Sequence, residues 1–323
     1  MVEKASASTP RRLGIIYNAQ SGRHRRRWGH HAPPAGVPAI EANTTAEITA
    51  AVAELAGLGV DLLAVAGGDG TVQCVLGEIL LKEHFAEPPL LALIPTGSTN
   101  MTARDAGAIN VRRRGWQPLC DWAAGQRSAR LRQRSVLRIE PGGDRAAIAG
   151  MFFGAGAVHH AVEHTQKRLH SVGLRGEVGP ALAFLRFLKS VLTGDGRHFA
   201  PTRLSLRDDK QQYMDDEALL MVASTLHRLV LRFHPFWGRE DAAIAWTVIR
   251  HGANRLFWRI PLIVRGSSRA GRAEPIDYLS HNSDTLELDF EGGFIVDGEF
   301  FRSAAADGPV RLSVAGRLSF VSL

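Results

Sequence analysis

Val60-Asp61-Leu62-Leu63-Ala64-Val65-Ala66, running straight into Gly67-Gly68-Asp69-Gly70-Thr71, is the stretch that decides the fold. The first seven residues form an apolar run of strand length. After the glycines, Val72, Val75, Leu76, Ile79 and Leu80 fall at helical spacing on one face. Three glycines and a carboxylate therefore sit where a strand hands over to a helix. Glycine permits positive φ and lets a ligand approach the main chain closely. The start of the helix points unpaired N–H groups at the same spot, which favours an anion. A triphosphate suits such a place, and its acidic residue can hold a metal or a proton. Taken alone, the stretch also reads as a tight βα turn. The commoner nucleotide signatures are absent: there is no Gly-x4-Gly-Lys-Ser/Thr, and Gln73 stands where the third glycine of a dinucleotide fingerprint would fall.

Outward from this junction, the first third of the chain alternates. Residues 13–17, 60–66 and 90–94 read as strands, and 46–58 and 71–82 as helices. That order implies a parallel sheet with helices on its faces, whose ligands sit outside the carboxyl ends of the strands. Each strand ends in a loop of small and polar residues. The first is Asn18-Ala19-Gln20-Ser21-Gly22-Arg23, the second is the glycine-rich loop, and the third is Pro95-Thr96-Gly97-Ser98-Thr99-Asn100. Three such loops at one edge of one sheet are far less expected by accident than one.

From about Arg134 the texture changes. Short apolar runs at 135–139, 148–153, 203–206, 218–223, 243–249, 285–290, 294–296, 310–314 and 318–321 are separated by turn residues. They read as an antiparallel β domain with one helical insertion near 160–193. The fold class is α/β plus all-β: an α/β domain over 1–133, and an antiparallel β domain over 134–323. No internal repeat is visible. The 323 residues are 45% apolar, enough for two cores.

Lysine plus arginine number 39 against 32 acidic residues, for a net charge of +7. The excess gathers in Arg23, Arg25, Arg26 and Arg27, in Arg112–Arg114, and in Arg127, Arg130, Arg132, Arg134 and Arg138. Such a surface attracts phosphates, nucleic acid or an anionic membrane face, unless it is only solvated charge. Two cysteines, Cys74 and Cys120, make no disulfide framework and suit a reducing compartment. The first nine residues lack an apolar signal core, and no run of 18 apolar residues spans a bilayer. The amphipathic stretch 178–192 reads as a helix over a core, or as the lining of a lipid entrance.

With the three loops placed, the chain resembles the diacylglycerol kinase catalytic-domain family, which includes bacterial soluble lipid kinases and sphingosine kinases. The likeness runs roughly from Arg12 to Val321. Ile15-Ile16-Tyr17-Asn18-x-x-Ser21-Gly22 is similar to the family's first nucleotide loop, Gly67–Thr71 to its signature, and residues 95–100 to its Pro-x-Gly-Thr/Ser-x-Asn loop. Far downstream, Val296-Asp297-Gly298-Glu299 is similar to its Asp-Gly-Glu motif. The resemblance implies a nucleotide domain of the NAD-kinase/lipid-kinase type over 1–133 and a β-sandwich-like domain over 134–323 whose last strands can return to the first. It implies ATP and Mg²⁺, with phosphoryl transfer to a lipid hydroxyl in a cleft between domains. Glu299 becomes the proton acceptor, Asp297 helps arrange the metal or the base, and Asp69 is an essential carboxylate credited in one branch with the base role. Asp69 and Asp297 are the candidate metal ligands. Asn18, Ser21, Gly22, Gly67, Gly68, Asp69, Gly70, Thr71, Gly97, Ser98, Thr99 and Asn100 line the nucleotide, together with a threonine that is either Thr44 or Thr45.

Physical chemistry is compatible with those roles. Phosphoryl transfer needs N–H donors and positive charge around the phosphates and an oriented nucleophile, and a carboxylate can orient a lipid hydroxyl and take its proton. Other readings stand beside them. Asp297-Gly298 is a favoured hairpin pair, and Thr44-x-x-Glu47 fits a capping box. The sequence also departs from the family pattern at Gln73, Cys74, Gly77, Glu78 and Met101, and the loop at 156–160 differs. Glu240 and Asp241 match an acidic structural-metal loop only loosely. His160 and His164, four apart beside His159 and Glu163, lack a third metal ligand at diagnostic spacing.

The expectation is thus a cytoplasmic lipid kinase of phospholipid metabolism. It would act peripherally at an anionic membrane on diacylglycerol, a sphingoid or a related lipid, without nucleic acid, with a homodimer left open. The rivals are an NAD-kinase-like enzyme with a soluble acceptor and a non-catalytic lipid- or nucleotide-binding relative.

Overall fold

A computed structural model describes residues 2–5, 10–21, 32–97, 99–156, 201–229, 233–272 and 274–323. The expected insertion near 160–193, the histidines at 159, 160 and 164, Glu163, the arginines at 23–27, Gly22 and Ser98 lie outside the described residues. The chain divides into two compact units, Met1–Val136 with Gly316–Leu323, and Leu137–Ala315. The early elements are β1 (Val2–Ala5), β2 (Leu13–Tyr17), β3 (Ala39–Glu41), α1 (Thr45–Gly57), β4 (Leu62–Gly67), α2 (Asp69–Leu81), β5 (Leu90–Pro95), α3 (Met101–Ala106), α4 (Val111–Arg114), α5 (Gln117–Ala123) and β6 (Ala129–Glu140). Then follow β7 (Ile148–Gly150), β8 (Phe152–Gly156), β9 (Thr202–Arg207), β10 (Gln212–Ser224), β11 (Ile244–Arg250), α6 (Leu256–Val264), α7 (Arg269–Arg272), β12 (Tyr278–Ser283), β13 (Leu286–Asp289), β14 (Gly292–Val296), β15 (Glu299–Ser303) and β16 (Val310–Ser322). Among the described residues no helix is long and apolar enough to cross a membrane.

In the first unit β3, β2, β4, β5 and the end of β16 pair in parallel, in that order. All six residues of β4 are buried, as befits a parallel strand covered on both faces. Helix α1 starts at a capping box. Thr44 Oγ1 accepts the Glu47 N–H, and Glu47 reaches back to the Thr44 N–H. Its buried face is Ile48, Ala51, Val52 and Leu55, the i, i+3, i+4, i+7 stripe of a helix on a sheet. The register places Tyr17 opposite Ala66 and Gly67 opposite Pro95, so three strands end together and their loops begin side by side.

Helix α2 begins at Asp69, two residues before the start that apolar spacing predicts. The glycines work differently from the expectation as well. Gly67, Gly68 and Gly70 all avoid positive φ. Gly67 is required by proximity instead, because a Cβ there would lie 2.5–2.7 Å from the Thr71 side chain.

The second unit is antiparallel. The long strand β10 organises it. Its first half pairs with β9, which continues to β13 and the start of β16. Its second half pairs with β8 on one edge and β11 on the other; β8 leads to β14 and β15, and β11 leads to β12. Phe153, Phe294, Trp246, Met221, Leu206 and Leu288 are among the residues that fill its core. Phe294 stacks on Phe153 at 5.3 Å and on Phe301 at 5.5 Å. The expected single strand over 148–153 is broken at Met151. The two runs at 310–314 and 318–321 are one strand, because Ala315 and Gly316 stay extended between them.

In the first unit α3 is anchored to β6 by a buried ion pair. Arg134 Nε lies 2.7 Å from Asp105 Oδ2, with the side chains 9% and 5% exposed. Arg132 adds a hydrogen bond to the Asp105 carbonyl at 3.0 Å. Removing one partner strands the other charge away from water. Arg134→Met is expected to cost about 3 kcal/mol or more, and the pair change Arg134→Met/Asp105→Leu distinctly less. Urea unfolding of both variants checks this; equal losses would mean that the pair is not coupled.

Candidate functional site

The three loops expected at the carboxyl ends of β2, β4 and β5 are tied to one another by their own side chains. From the first loop, Asn18 Nδ2 donates to Thr71 Oγ1 at 3.2 Å, reaching the glycine-rich loop. Its Oδ1 accepts the Gln20 N–H at 2.9 Å, and the same N–H lies 3.3 Å from Asn43 Oδ1, which draws in the turn before α1. Thr96 Oγ1 donates to Ser21 Oγ at 2.9 Å, joining the third loop to the first. Ser21 and Thr96 are both buried, so these hydroxyls fix the loops rather than face water. The main chain repeats the pattern, with Asn18 N–H on the Ala66 carbonyl and Thr96 N–H on the Gly67 carbonyl.

Asn100 closes the third loop. Its amide accepts the Gly97 N–H at 2.9 Å and donates to the Gly97 carbonyl at 2.5 Å. Its backbone is left-handed, at φ 48° and ψ 46°, a conformation that asparagine tolerates better than most residues. An asparagine at the loop's end therefore satisfies both the turn and its bracing.

Asp69 links the second loop to the third. As the first residue of α2, it aims its carboxylate at the opening turn of α3, where Oδ1 accepts the Thr102 N–H at 3.3 Å. Burial pushes its carboxyl above the ordinary aspartate range. The N–H groups of Met101 and Thr102, the Arg104 cation and the Asn100 N–H pull the other way without cancelling the rise. The N–H groups of Asp69, Gly70 and Thr71 are the first of α2 and have no partner within the helix. Gly68, its N-cap, provides no side-chain cap. The result is a half-buried helix start that presents main-chain donors between three braced loops, a suitable cradle for phosphate oxygens.

Among the remaining nucleotide candidates, Gly97 and Thr99 are half-buried on the third loop. Thr44 and Thr45 are both exposed: Thr44 spends its hydroxyl on the cap, and Thr45 Oγ1 lies 3.9 Å from Cys74 Sγ on α2. Sequence reasoning passed over Thr96 and Asn43 as bracing residues. Their signal was a polar side chain inside a glycine- and proline-bearing loop beside a buried strand end. Of the departures from the family pattern, Gln73, Glu78 and Met101 are buried. Glu78 bonds Thr49 Oγ1 and His84 Nε2, each at 2.9 Å, so it serves the packing of α1 on α2.

In the second unit, Asp297-Gly298 is a two-residue hairpin turn between β14 and β15, with Val296 paired to Glu299. Both turn residues have positive φ, 50° and 98°, as a type I′ turn demands. Asp297 does more than turn the chain. It is 8% exposed, and its two carboxylate oxygens accept the N–H groups of Met151 and Phe152, each at 2.9 Å. It thereby satisfies the main chain where β7 breaks from β8. Glu299, two residues on, is exposed. Glu240 is engaged by His281 at 2.6 Å and by the Asn282 N–H at 2.8 Å. Among the described residues no three His, Cys, Asp or Glu side chains gather into a metal-ligating group.

Residues 12–127 match the family described as Diacylglycerol kinase catalytic domain. The structure of a provisionally assigned diacylglycerol kinase from Bacillus anthracis str. Sterne is similar, with TM-score 0.63, 16% identity, and 97% of this chain and 96% of that one covered. A second structure, a diacylglycerol kinase from the same organism, gives TM-score 0.60 and 15% identity over 97% of each chain. At such identity the likeness is one of fold. No match was found among curated proteins.

Asp297 and Glu299 separate by experiment. Asp297→Asn keeps a residue that tolerates positive φ but leaves only one carbonyl for two N–H groups. It is expected to cost about 1–2 kcal/mol of stability, whereas Glu299→Gln leaves stability unchanged. Chemical denaturation reads both, and an unaffected Asp297→Asn would refute the bracing role.

The raised pKa of Asp69 has its own signature. The folded chain binds this proton more tightly than the unfolded chain, so the contribution is full below the unfolded value and is lost as pH rises through the folded one. Going up from about pH 4, the wild type should lose stability that Asp69→Asn keeps. Melting temperatures of the two proteins across that range, if they ran parallel, would contradict it.

Proposed function

We propose that this chain, whose residues 12–127 carry a diacylglycerol kinase catalytic domain, is an ATP-dependent lipid kinase that transfers the γ-phosphate to a lipid hydroxyl at an anionic membrane face. The observation that carries the reading is the mutual bracing of the three loops around the open start of α2. It holds main-chain donors in a fixed array, and phosphoryl transfer depends on such positioning and charge stabilisation more than on covalent chemistry by the protein.

ATP fits the residues present. Its phosphate oxygens would meet the N–H groups of Asp69, Gly70 and Thr71, with Asn18 and Thr71 holding the rim. When bound, ATP supplies the phosphoryl group. The first loop, the third loop and Asn100 keep the donors from relaxing away from it. A Mg²⁺ entering with the nucleotide needs few protein ligands, because phosphates and water commonly complete its shell. Asp69 is the carboxylate at these loops, and a metal there would share its oxygens with the N–H groups of Met101, Thr102 and Asn100. Asp297, with both oxygens on main-chain N–H groups, fits a bracing role better than a metal ligand.

Glu299 is the proposed proton acceptor. It is exposed, and it extends from a hairpin whose turn is pinned by Asp297. With ATP bound, this carboxylate would orient the acceptor hydroxyl and take its proton while the hydroxyl oxygen bonds to the γ-phosphorus and ADP leaves.

ATP consumption measured with and without a lipid extract tests the activity. Turnover that appears only with lipid supports the reading. Turnover with a soluble acceptor alone makes the enzyme NAD-kinase-like, and none with either makes it a binding protein. In the active protein Glu299→Gln should lower kcat by about two orders of magnitude and leave ATP affinity nearly unchanged. An unchanged kcat would remove Glu299 from the chemistry.

A further inference from the structure

Helix α6 is built inside out. Its sequence, Leu256-Phe-Trp-Arg-Ile-Pro-Leu-Ile-Val264, carries one charged residue, and that residue is turned inward. Arg259 is 8% exposed. Its guanidinium pairs with Glu274 at 3.1 Å, donates to the carbonyls of Arg269 and Ala270, and lies 5.1 Å from the centre of the Tyr278 ring. Ile260 and Ile263 are buried beside it. On the opposite face, Phe257 is 51% and Trp258 77% exposed, their rings edge to face at 5.3 Å, and Pro261 is exposed one turn further on. A soluble helix normally turns its charge out and its aromatics in; one that is apolar all round ordinarily lies in a core or in lipid.

The surroundings extend the patch. Ile276 is 68% exposed. It stands between Glu274, which binds Arg259 of the helix, and Asp277, which accepts the N–H of Asn254 just before the helix. The exposed charges along residues 255–276 are all arginines: Arg255 at the N-cap, Arg265 at the C-cap, and Arg269 and Arg272 on α7. The two acidic residues nearby, Glu274 and Asp277, are half-buried and paired to Arg259 and Arg250. Arg265 falls seven and eight residues beyond Trp258 and Phe257, so it shares their face. An exposed Trp–Phe–Pro ridge set among unneutralised arginines matches one chemistry. The apolar ridge enters the boundary between headgroups and chains, and the guanidiniums meet anionic headgroups.

We infer that the Phe257–Trp258 face of α6, with Arg265 and the arginines of α7, is a membrane-docking surface for an anionic bilayer. The inference deepens the lipid-kinase reading and rests on it for its purpose, since it gives such an enzyme a way to reach an acceptor that stays in the bilayer. The docking itself is testable without any turnover.

Sedimentation with phosphatidylcholine vesicles, with and without phosphatidylserine, measures it. The full chain should bind the anionic vesicles, and Phe257→Ser/Trp258→Ser should bind at least about tenfold more weakly, or about 1.4 kcal/mol. Arg265→Glu and Arg269→Glu should each weaken binding about fivefold, and rising salt should abolish that difference. Brominated lipid should quench a fluorescence component of the unaltered protein that Trp258→Phe lacks, a reading that needs no destabilising change. Both aromatic residues are exposed, so the melting temperature should hold, as should turnover of a short-chain, water-soluble lipid acceptor. Wild-type binding by the double variant overturns the inference. So does a switch from dimer to monomer caused by these substitutions, which would assign the face to a second copy. Acrylamide protection of Trp258 without lipid also overturns it, because another part of the chain then covers the ridge. If vesicles are bound as described while no lipid is phosphorylated, the docking surface stands and the kinase reading falls.

Discussion

A single carboxylate, Asp69, holds the loop end of the first unit in place. It opens α2 and is spent on the first turn of α3, so the second loop cannot shift without the third. Asn18 and Ser21 carry the same dependence to the first loop, and Asn100 stiffens the far side. The arrangement places a half-buried acid within an array of N–H donors. Burial raises the carboxyl's pKa and the donors lower it, and burial prevails.

Asp297 shows the same economy in the second unit. It supplies the left-handed turn residue, and its carboxylate closes the gap left where β7 parts from β8. In both units an aspartate that a motif marks as chemical is also a structural brace. The consequence for mutagenesis is practical: loss of activity at either position mixes two causes, whereas exposed Glu299 carries little structural burden.

The first unit was legible because its signals agreed. The strand at 13–17 has the expected bounds, and β4, β5, α1 and α2 lie within two residues of the runs that announce them. Apolar runs, turn residues and the capping box at Thr44 all pointed one way. Strand β3, with three residues, was too short to show a period. The site loops were legible as loops, but their cross-links were not, because hydroxyl and amide bonding across 53 or 75 residues leaves no local trace. In the second unit β12, reading Tyr-Leu-Ser-His-Asn-Ser, lacks alternation because Ser280 and Ser283 are buried on hydrogen bonds. Helix α6 was hidden by Pro261 and by its inverted polarity, since a buried arginine and exposed aromatics defeat any reading based on an amphipathic stripe.

The last strand has a meaning for how the protein is made. Residues 316–323 belong to the first unit, where Phe320 pairs with Leu91 of β5. Synthesis delivers nearly all of that unit early, yet the sheet edge beside β5 waits for residues added more than 200 positions later. Until then the Leu93 carbonyl of that edge is held by the Ile109 N–H, while the pairing at Leu91 still lacks its partner strand. The nascent chain must pass through an interval in which its first unit is unfinished, and a ribosome that stalls short of Gly316 would leave a product with an incomplete sheet edge.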